Sequence, residues 1–472
     1  MIFNSIPFLI LFSVTFLVYW NVGNQQKKYI LLLSSVLFYL YFSIYVTLHF
    51  LSVVTINYLF SQKLLAKKQK GENTTSGIRI IILLNFLNLC VFKYFYFFMD
   101  SVYFITGYEE VKAFSKSVSI VLPLAISFYT FQLIAIQVDI HRNKITEKIA
   151  FLDYYIFILF FPQLISGPIM RTGDFLPQIN SPAITKESMY DGMLFILSGL
   201  FKKVVIADNI GPIIFPLYEN PSHYNGWVLL IGCMGFACQV YSDFSGYTDM
   251  ARGLAKMLGY EIPENFGGPF LSQTFKELWS RWHITLSTWL RDYIYIPLGG
   301  SRQNKFRSHI NLMITMALGG LWHGANITFL FWGVYLGVLI VIERILEDMG
   351  WKKQSYQNIF LKILKTTVVF VLFAMSGTFF RAGIAGENSV KISYEFFKNI
   401  LTFSDGIGLY RLNELYIFIF VTLLFNYAQY NPAALKKFAN FRGIIVSTFS
   451  VIMLLLLGLF GDGGGNFLYF QF

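Results

Sequence analysis

Two histidines with polar neighbours are set into strongly apolar stretches of the chain. His283 follows Arg281 and Trp282, and His323, forty positions later, follows Trp322. A neutral imidazole takes or gives a proton near neutral pH, so such a pair suits general-base catalysis and stabilisation of an oxyanion. Titratable groups are costly at membrane depth and therefore tend to mark function. From these residues alone, a structural role remains open, in which each imidazole only hydrogen-bonds a neighbouring helix.

The composition is typical of an integral membrane protein. Of the 472 residues, 55% are hydrophobic and 13% are charged, whereas soluble domains carry about 25% charged residues. A helix that spans a bilayer needs about 20 mainly apolar residues. The runs that meet or approach this length are 7–20, 29–42, 46–60, 78–98, 120–140, 151–165, 193–214, 227–240, 310–321, 328–342, 364–380, 415–427 and 444–460. No long polar segment separates them, so we predict a single membrane domain.

Lysine and arginine are distributed unevenly over the loops. If the first five runs each cross the bilayer, basic loops at 27–28, 63–79 and 142–148 fall on one side and an acidic loop at 100–110 falls on the other. Basic loops face the cytoplasm, so both termini are predicted to lie outside it.

No basic residue precedes Lys27, and we expect the first run to be a retained span rather than a signal peptide. The net charge of +11 follows from this bias, and its spread over many loops argues against nucleic-acid binding.

Charge and periodicity predict the elements that position the two histidines. Basic clusters at 302–307 and 352–353 put both flanks of His323 on the cytoplasmic side, so the chain between them should form a membrane hairpin with its turn at 319–326. Non-helical backbone at that depth needs protein or water around it, which predicts a cavity at His323. Residues 274–298 carry apolar side chains at helical spacing and predict one amphipathic helix, with His283 on its more apolar side.

Two further polar clusters interrupt apolar runs. Residues 241–252 include Asp243 and Ser245, and this cluster could bind a polar ligand or form a structural hydrogen-bond network. At 161–171, proline and glycine break a helix, which would line a cavity or produce a kink.

The three cysteines lack the spacing of a metal site or a disulfide framework. The chain contains no HExxH, Walker A, GxSxG or dinucleotide-binding motif.

Four segments resemble motifs of the membrane-bound O-acyltransferase (MBOAT) family. In chain order they are PQLISGPIMR at 162–171, YSDFSGYTDMA at 241–251, WHITLSTWLRDYIYIPLGGS at 282–301 and WHGA at 322–325. Within the family, the chain is most similar to the membrane subunits of bacterial alginate O-acetyltransferases. The resemblance implies an all-α polytopic fold, a bundle of about eleven membrane-spanning helices of about 20 residues each, with re-entrant or interfacial helices around a central tunnel. Its parts would be N-terminal helices at 1–115, a catalytic core at 116–345, C-terminal helices at 346–460 and an aromatic tail at 461–472.

The resemblance also implies an activity. His323 matches the family's catalytic histidine, and His283 matches its second polar position. Acetyl-CoA would be the donor substrate, with no permanently bound cofactor and no metal. An extracytoplasmic partner of the SGNH type would pass the acetyl group to a polysaccharide outside the bacterial inner membrane. The candidates for contact with substrate or donor are Asp243, Ser245, Arg281, Ser287, Arg291, Trp322 and Asn326.

An aromatic heptapeptide follows a glycine-rich segment at 461–465. The charge distribution places this tail outside the cytoplasm, and similar aromatic endings occur in the same bacterial branch or in its small partner subunits. We therefore consider Tyr469 a possible acyl relay that accepts acetyl near His323. Alternatives are an aromatic anchor at the membrane interface and a remnant that resembles a protease tag.

Two alternatives from other classes make different predictions. A polytopic transporter or flippase would use the intramembrane histidines as a proton relay, and it predicts paired halves; the sequence shows no convincing internal repeat. A scaffold that only anchors an extracytoplasmic enzyme predicts that His323→Ala leaves acetylation intact.

Overall fold

The computed structural model describes residues 1–350, 358–386, 388–431, 433 and 442–460, which are predominantly helical. The α-helices are α1 Ile6–Trp20, α2 Asn24–Leu40, α3 Ile44–Gln69, α4 Thr75–Leu89, α5 Phe95–Thr106, α6 Glu109–Ser117, α7 Ile126–His141, α8 Phe151–Leu159, α9 Phe161–Leu164, α10 Thr172–Phe175, α11 Lys186–Leu200, α12 Asp208–Glu219, α13 Gly226–Met257, α14 Phe275–Arg281, α15 Ile284–Leu290, α16 Lys305–His323, α17 Ile327–Asp348, α18 Ile359–Ala385, α19 Ser389–Leu401, α20 Leu412–Tyr430 and α21 Arg442–Phe460. Short π-helices continue α4, α11 and α15, at Cys90–Tyr94, Phe201–Ala207 and Arg291–Tyr295.

Several of these helices have the length and composition of membrane spans. Among the described residues, five segments are long and apolar enough to cross a membrane: Ile44–Gln69, Thr75–Thr106, Gly226–Met257, Ile327–Asp348 and Ile359–Ala385. Each of the other predicted runs also falls largely on helix. The predicted class, an all-α polytopic membrane protein, is thereby confirmed. The total of about eleven spans, each about 20 residues long, stays a prediction.

The chain divides into two compact units. The first comprises residues 1–196 and 248–263, and the second comprises residues 197–247 and the described residues after 263. In the first unit, buried amides join the helices: Asn57 and Asn85 exchange hydrogen bonds of 3.1 and 2.8 Å, and Gln137 donates to the Ser61 hydroxyl at 2.9 Å. Such pairs satisfy polar groups where water is excluded. Both histidines lie in the second unit, whose helices therefore build the candidate site.

The predicted hairpin around His323 is formed by α16 and α17. Its turn is only residues 324–326, shorter than the predicted turn at 319–326, because Gly319 and Gly320 lie inside α16. Gly320 serves close helix packing instead. A Cβ atom there would lie 2.2 Å from the carbonyl oxygen of Phe329, and a Cβ on Gly333 would lie 2.2 Å from that of Met316. The two backbones therefore touch, and the end of α16 is held against α17.

The prediction of one amphipathic helix at 274–298 is wrong. α14 ends at Arg281 and α15 begins at Ile284. Between them, Trp282 is extended and His283 has a left-handed backbone, with φ of 41°. Hydrogen bonds to Asn265, a residue outside this segment, stabilise the break, and helical periodicity does not report such contacts.

Candidate active site

His323 is the last residue of α16 and is packed between aromatic rings. Its side chain is 5% exposed. The centroid of its imidazole lies 5.0 Å from Trp322, 5.0 Å from Trp332 and 5.2 Å from Phe380, all in edge-on geometry. Trp332 belongs to α17 and Phe380 to α18. Three helices thus fix the orientation of this imidazole and keep bulk water away from it.

His283 occupies the break between α14 and α15. The Asn265 side chain accepts hydrogen bonds from the backbone N–H and the hydroxyl of Thr285, at 3.2 and 2.7 Å. The Asn265 backbone carbonyl accepts from Ile284 N–H at 3.0 Å. These bonds offset the left-handed backbone of His283, which costs about 1–3 kcal/mol in a residue other than glycine. The break points the His283 side chain into the protein, where it is 1% exposed.

Trp322 contacts both histidines. Its ring centroid lies 6.0 Å from that of His283 and 5.0 Å from that of His323. His283 lies outside the five candidate spans, and its burial lowers the pKa of the imidazole from 6.5 to about 3. His283 is therefore neutral throughout the physiological pH range. A neutral imidazole is a poor base at such a pKa, but it can donate a hydrogen bond to a developing oxyanion.

A small cavity, which we call the aromatic cavity, connects the two histidines. Its volume is about 30 Å³, room for one or two water molecules. Its lining comes from α13 and α18, from Trp282 and His283 at the break between α14 and α15, and from His323 and Trp332. The full lining is Phe236, Ala237, Val240, Phe244, Trp282, His283, His323, Trp332, Phe373, Ser376, Gly377 and Phe380.

A larger cavity, the basic cavity, also reaches His323. Its volume is about 230 Å³. Its cationic lining residues are Lys276, Arg291 and Arg344, and its remaining lining residues are Trp279, Leu286, Ser287, Leu290, Tyr295, Leu312, Thr315, Met316, Gly319, His323, Trp332 and Ile340. The lining described here includes no carboxylate, so the cavity favours an anionic ligand. His323 and Trp332 are shared by the two cavities, and the His323 imidazole lies where they meet.

Three of the predicted contact residues fall on cavity walls. Ser287 and Arg291 line the basic cavity. Arg291 is paired with Asp292 at 2.7 Å. Arg281 lines a third and more polar cavity of about 670 Å³. Its guanidinium donates to the Gly267 carbonyl at 2.8 Å and stacks on Tyr430 at 4.0 Å. Ser287 and Arg291 can therefore contact a ligand that reaches His323 through the basic cavity.

Asn326 caps the N-terminus of α17. Its side-chain oxygen accepts from the Thr328 N–H at 3.0 Å and from the Ser389 hydroxyl at 3.1 Å. It therefore starts α17 and ties this helix to α19. It lines neither of the two cavities that His323 borders.

Asp243 and Ser245 belong to a buried charge network. Asp243 pairs with Lys203 at 2.9 Å, and Lys203 also pairs with Asp208 at 2.6 Å. Ser245 accepts a hydrogen bond of 2.7 Å from Lys202. Both lysines lie in the π-helix that follows α11, so the network ties that turn to α13. Of the two roles open from sequence, the geometry favours the structural network, because neither residue lines a cavity that His323 borders.

Tyr469, the hypothesised acyl relay, lies outside the described residues. Within the ranges that the structure does describe, no group of three or more histidine, cysteine, aspartate or glutamate side chains is placed to hold a metal ion.

Sequence reasoning missed several residues of the site. Asn265 and Arg344 lie 18 and 21 positions from the nearer histidine, and Lys276 lies seven positions before His283, but no local pattern distinguishes them from their neighbours. Lys202 and Lys203, which belong to the structural charge network and line neither cavity at His323, did carry a signal, since two adjacent cations inside the apolar run 193–214 need buried partners.

Comparisons with known proteins agree on one family. The family model of MBOAT, the membrane-bound O-acyltransferase family, matches residues 72–383, which include both histidines. The probable alginate O-acetylase AlgI of Pseudomonas aeruginosa is 36% identical over 421 residues, 88% of this chain and 77% of that protein. The peptidoglycan O-acetyltransferase of Helicobacter pylori is 30% identical over 444 residues, 84% and 81% of the two chains. The teichoic acid D-alanyltransferase of Bacillus subtilis is 31% identical over 259 residues, 52% and 65%.

Proposed function

Since the chain belongs to the membrane-bound O-acyltransferase family, as its four motifs predicted, and is an O-acyltransferase, we propose that it transfers acetyl groups from cytoplasmic acetyl-CoA for the O-acetylation of an envelope polysaccharide. The acceptor lies outside the bacterial inner membrane, and both termini of the chain face that side. Two of the relatives named above are O-acetylating enzymes of alginate and of peptidoglycan, which supports an extracytoplasmic glycan as acceptor.

The observation that carries the proposal is the position of His323 between two cavities. His323 lines both the basic cavity and the aromatic cavity. A thioester that enters through the basic cavity brings its carbonyl carbon to His323. The buried and neutral His283 lines the same aromatic cavity.

The charge of the basic cavity supports a phosphate-bearing donor. Three cationic residues line this cavity, Lys276, Arg291 and Arg344, of which Arg291 is paired with Asp292 at 2.7 Å. Cationic side chains bind phosphate groups well, and the phosphates of CoA are the anionic part of an acetyl-CoA molecule. The pantetheine arm would then follow the apolar lining toward His323, with Ser287 beside it.

The chemistry assigns different roles to the two imidazoles. His323 accepts the proton of the attacking hydroxyl, which contributes about 10²–10⁴-fold. The hydroxyl oxygen bonds to the carbonyl carbon, the carbon–sulfur bond breaks, and the proton passes from His323 to the leaving thiolate. Neutral His283 donates a hydrogen bond to the oxyanion that develops between these events. Trp322 holds the spacing of the two rings, since it contacts both.

The acetyl group leaves the site toward the outside, where an SGNH-type partner enzyme receives it. Tyr469 is proposed as the relay, with its phenol oxygen as the intermediate acyl acceptor. Tyr469→Phe removes that oxygen and keeps the ring, so the proposal expects loss of envelope acetate. Full transfer by Tyr469→Phe would reject the relay and leave the acyltransferase activity standing.

The proposed function is tested in cells that lack this protein. Alkali-released acetate is measured in separated envelope fractions after complementation with wild type, His323→Ala or His323→Gln. We expect wild type to restore acetate in one fraction, which names the polymer, and both variants to fail although they accumulate in the membrane. If His323→Ala restores the acetate, the protein acts as a scaffold. If cells that lack the protein keep a normal acetate content in every envelope fraction, the proposed O-acetylation is rejected.

A further inference from the structure

The aromatic cavity is placed to receive the acyl group while the thioester carbonyl lies at His323. We propose that this cavity holds the acyl group during transfer and restricts the enzyme to acetyl, with Phe236 of α13 and Gly377 of α18 setting the limit. This inference rests on the proposed function, because it assigns the part of the site that selects the acyl group of the donor.

The size of the cavity matches an acetyl group. A volume of about 30 Å³ is room for one or two water molecules, which a methyl group and its carbonyl oxygen fill. A propionyl group adds one methylene and must displace a wall. In a rigid pocket, one methylene changes the rate of transfer by about 10–200-fold.

The aromatic residues of the walls are packed against one another and cannot move easily. Phe380 contacts Trp332 at 5.5 Å and Phe329 at 5.0 Å between ring centroids. Phe373 contacts Trp282 at 5.0 Å. Phe329 lies outside the lining, and the other four rings line the cavity. All five rings are buried, so an acyl chain that pushes on one ring also displaces the ring packed against it.

The limit of the cavity lies where α13 and α18 meet. Cys233 and Thr378 touch there, with their sulfur and hydroxyl oxygen 3.2 Å apart, and both are fully buried. Next to this contact, Phe236 faces Gly377. A Cβ atom on Gly377 would lie 2.9 Å from Phe236 Cδ1. One side chain therefore determines how much space remains at this end.

The lining also excludes charged acyl groups. Its twelve residues, all within the described part of the chain, include no aspartate or glutamate. The Ser376 hydroxyl is committed to the Phe373 carbonyl at 2.6 Å. An aminoacyl group would place its ammonium there without a carboxylate partner, which is unfavourable in a buried site. The cavity thus suits acetyl and disfavours D-alanyl, the group named for the Bacillus subtilis relative.

The test compares donors in inverted membrane vesicles from a deletion strain that carries each variant of the full chain. The vesicles receive labelled acetyl-CoA, propionyl-CoA, butyryl-CoA or glycyl-CoA, and alkali-labile label in envelope polymer is counted. We expect wild type to prefer acetyl over propionyl by at least about tenfold. Phe236→Val should lower that ratio about tenfold and leave glycyl excluded, since glycyl matches propionyl in size but carries a charge.

Three further variants complete the test. If Phe236→Val does not accumulate in the membrane, Phe373→Val takes its place in the test, because Phe373 also lines the cavity and its truncation enlarges it. Gly377→Ala fills space and should slow acetyl transfer. Phe157→Val is the control: Phe157 is as buried as Phe236 but does not line the cavity, and its acetyl-to-propionyl ratio should equal that of wild type. Wild-type ratios in both enlarged variants would overturn the inference while the proposed function stands. Absence of label from every donor in wild type would overturn the proposed function itself.

Discussion

The indole of Trp322 packs edge-on against the imidazole of His283, with ring centroids 6.0 Å apart. The same indole lies 5.0 Å from the ring of His323, its neighbour in the chain. A single buried side chain therefore sets the spacing between two histidines that are forty positions apart in the sequence. Under the proposed function, each element that holds one of these three rings should affect the reaction, and its effect can be measured.

Truncation of Trp322 should impair transfer more than its replacement by a smaller aromatic residue. Trp322→Ala leaves a void beside both imidazoles and should cost about 3–5 kcal/mol of stability, with transfer reduced at least tenfold per folded molecule. Trp322→Phe should retain most activity. Thermal unfolding in detergent and vesicle transfer assays measure the two effects. Trp227→Ala, at a side chain that is 53% exposed, is the control, and wild-type transfer by Trp322→Ala would contradict the positioning role.

His283 should make the protein less stable as pH falls. The pKa of its imidazole is about 3 in the folded chain against 6.5 ordinarily. Below pH 6.5 the unfolded chain therefore binds a proton that the folded chain does not. The free energy of unfolding should fall by up to about 1.4 kcal/mol per pH unit. Thermal unfolding from pH 7.5 to 4.5 should show a smaller loss of the free energy of unfolding in His283→Asn than in wild type. Equal pH slopes for His283→Asn and wild type would contradict the burial effect.

Loss of the Asn265 side chain should disturb His283 through the backbone. Asn265→Ala removes the acceptor that caps α15, at about 1–2 kcal/mol, and should lower kcat because His283 no longer has a fixed position. Asn265→Asp keeps an acceptor and should retain more activity. The control is Asn358→Ala, which removes the cap of α18 at Phe360 N–H. Asn358→Ala should lower the free energy of unfolding by a similar amount and leave kcat unchanged. A normal kcat for Asn265→Ala would show that the capped break is not needed for catalysis.

Asp243 should matter for stability and not for donor binding. Asp243→Asn weakens the buried pair with Lys203, and breaking such a pair costs about 3–5 kcal/mol. The KM for acetyl-CoA of the remaining folded protein should be unchanged. Asp348→Asn disrupts an exposed pair with Lys305 and should cost about 1 kcal/mol or less. A raised KM with normal stability for Asp243→Asn would instead restore the ligand-binding interpretation of this cluster.

Cations of the basic cavity should determine donor affinity. Arg344→Gln, Arg291→Gln and Lys276→Gln should each raise the KM for acetyl-CoA, by about tenfold where a charge-assisted hydrogen bond to phosphate is lost. The kcat at saturating donor should change little, since these residues do not touch the thioester. Added salt should raise the wild-type KM and have less effect on the triple variant. Lys305→Gln, outside the cavity, is the control, and an unchanged KM in the triple variant would place the donor phosphates elsewhere.

The sequence by itself determined the class and the family, and it predicted the two histidines as site residues. Apolar runs and sparse charge are sufficient for a polytopic helical protein, because span length and backbone hydrogen bonding leave few other solutions in a bilayer. Basic residues on both flanks of His323 predicted its hairpin. Local motifs around residues 162–171, 241–251, 282–301 and 322–325 identified the family. Each of these inferences uses neighbours in the chain.

Only the tertiary structure decided where the polar residues point. It placed Asp243 against Lys203 rather than on a cavity wall, broke the predicted helix at His283 through Asn265, and set His323 where two cavities meet. Each outcome depends on a partner from another chain segment. Helical periodicity reports which face of a helix is apolar, but it does not report which distant residue meets that face. The packing of α13, α16, α17 and α18 therefore had to be observed before the cavities and their selectivity could be inferred.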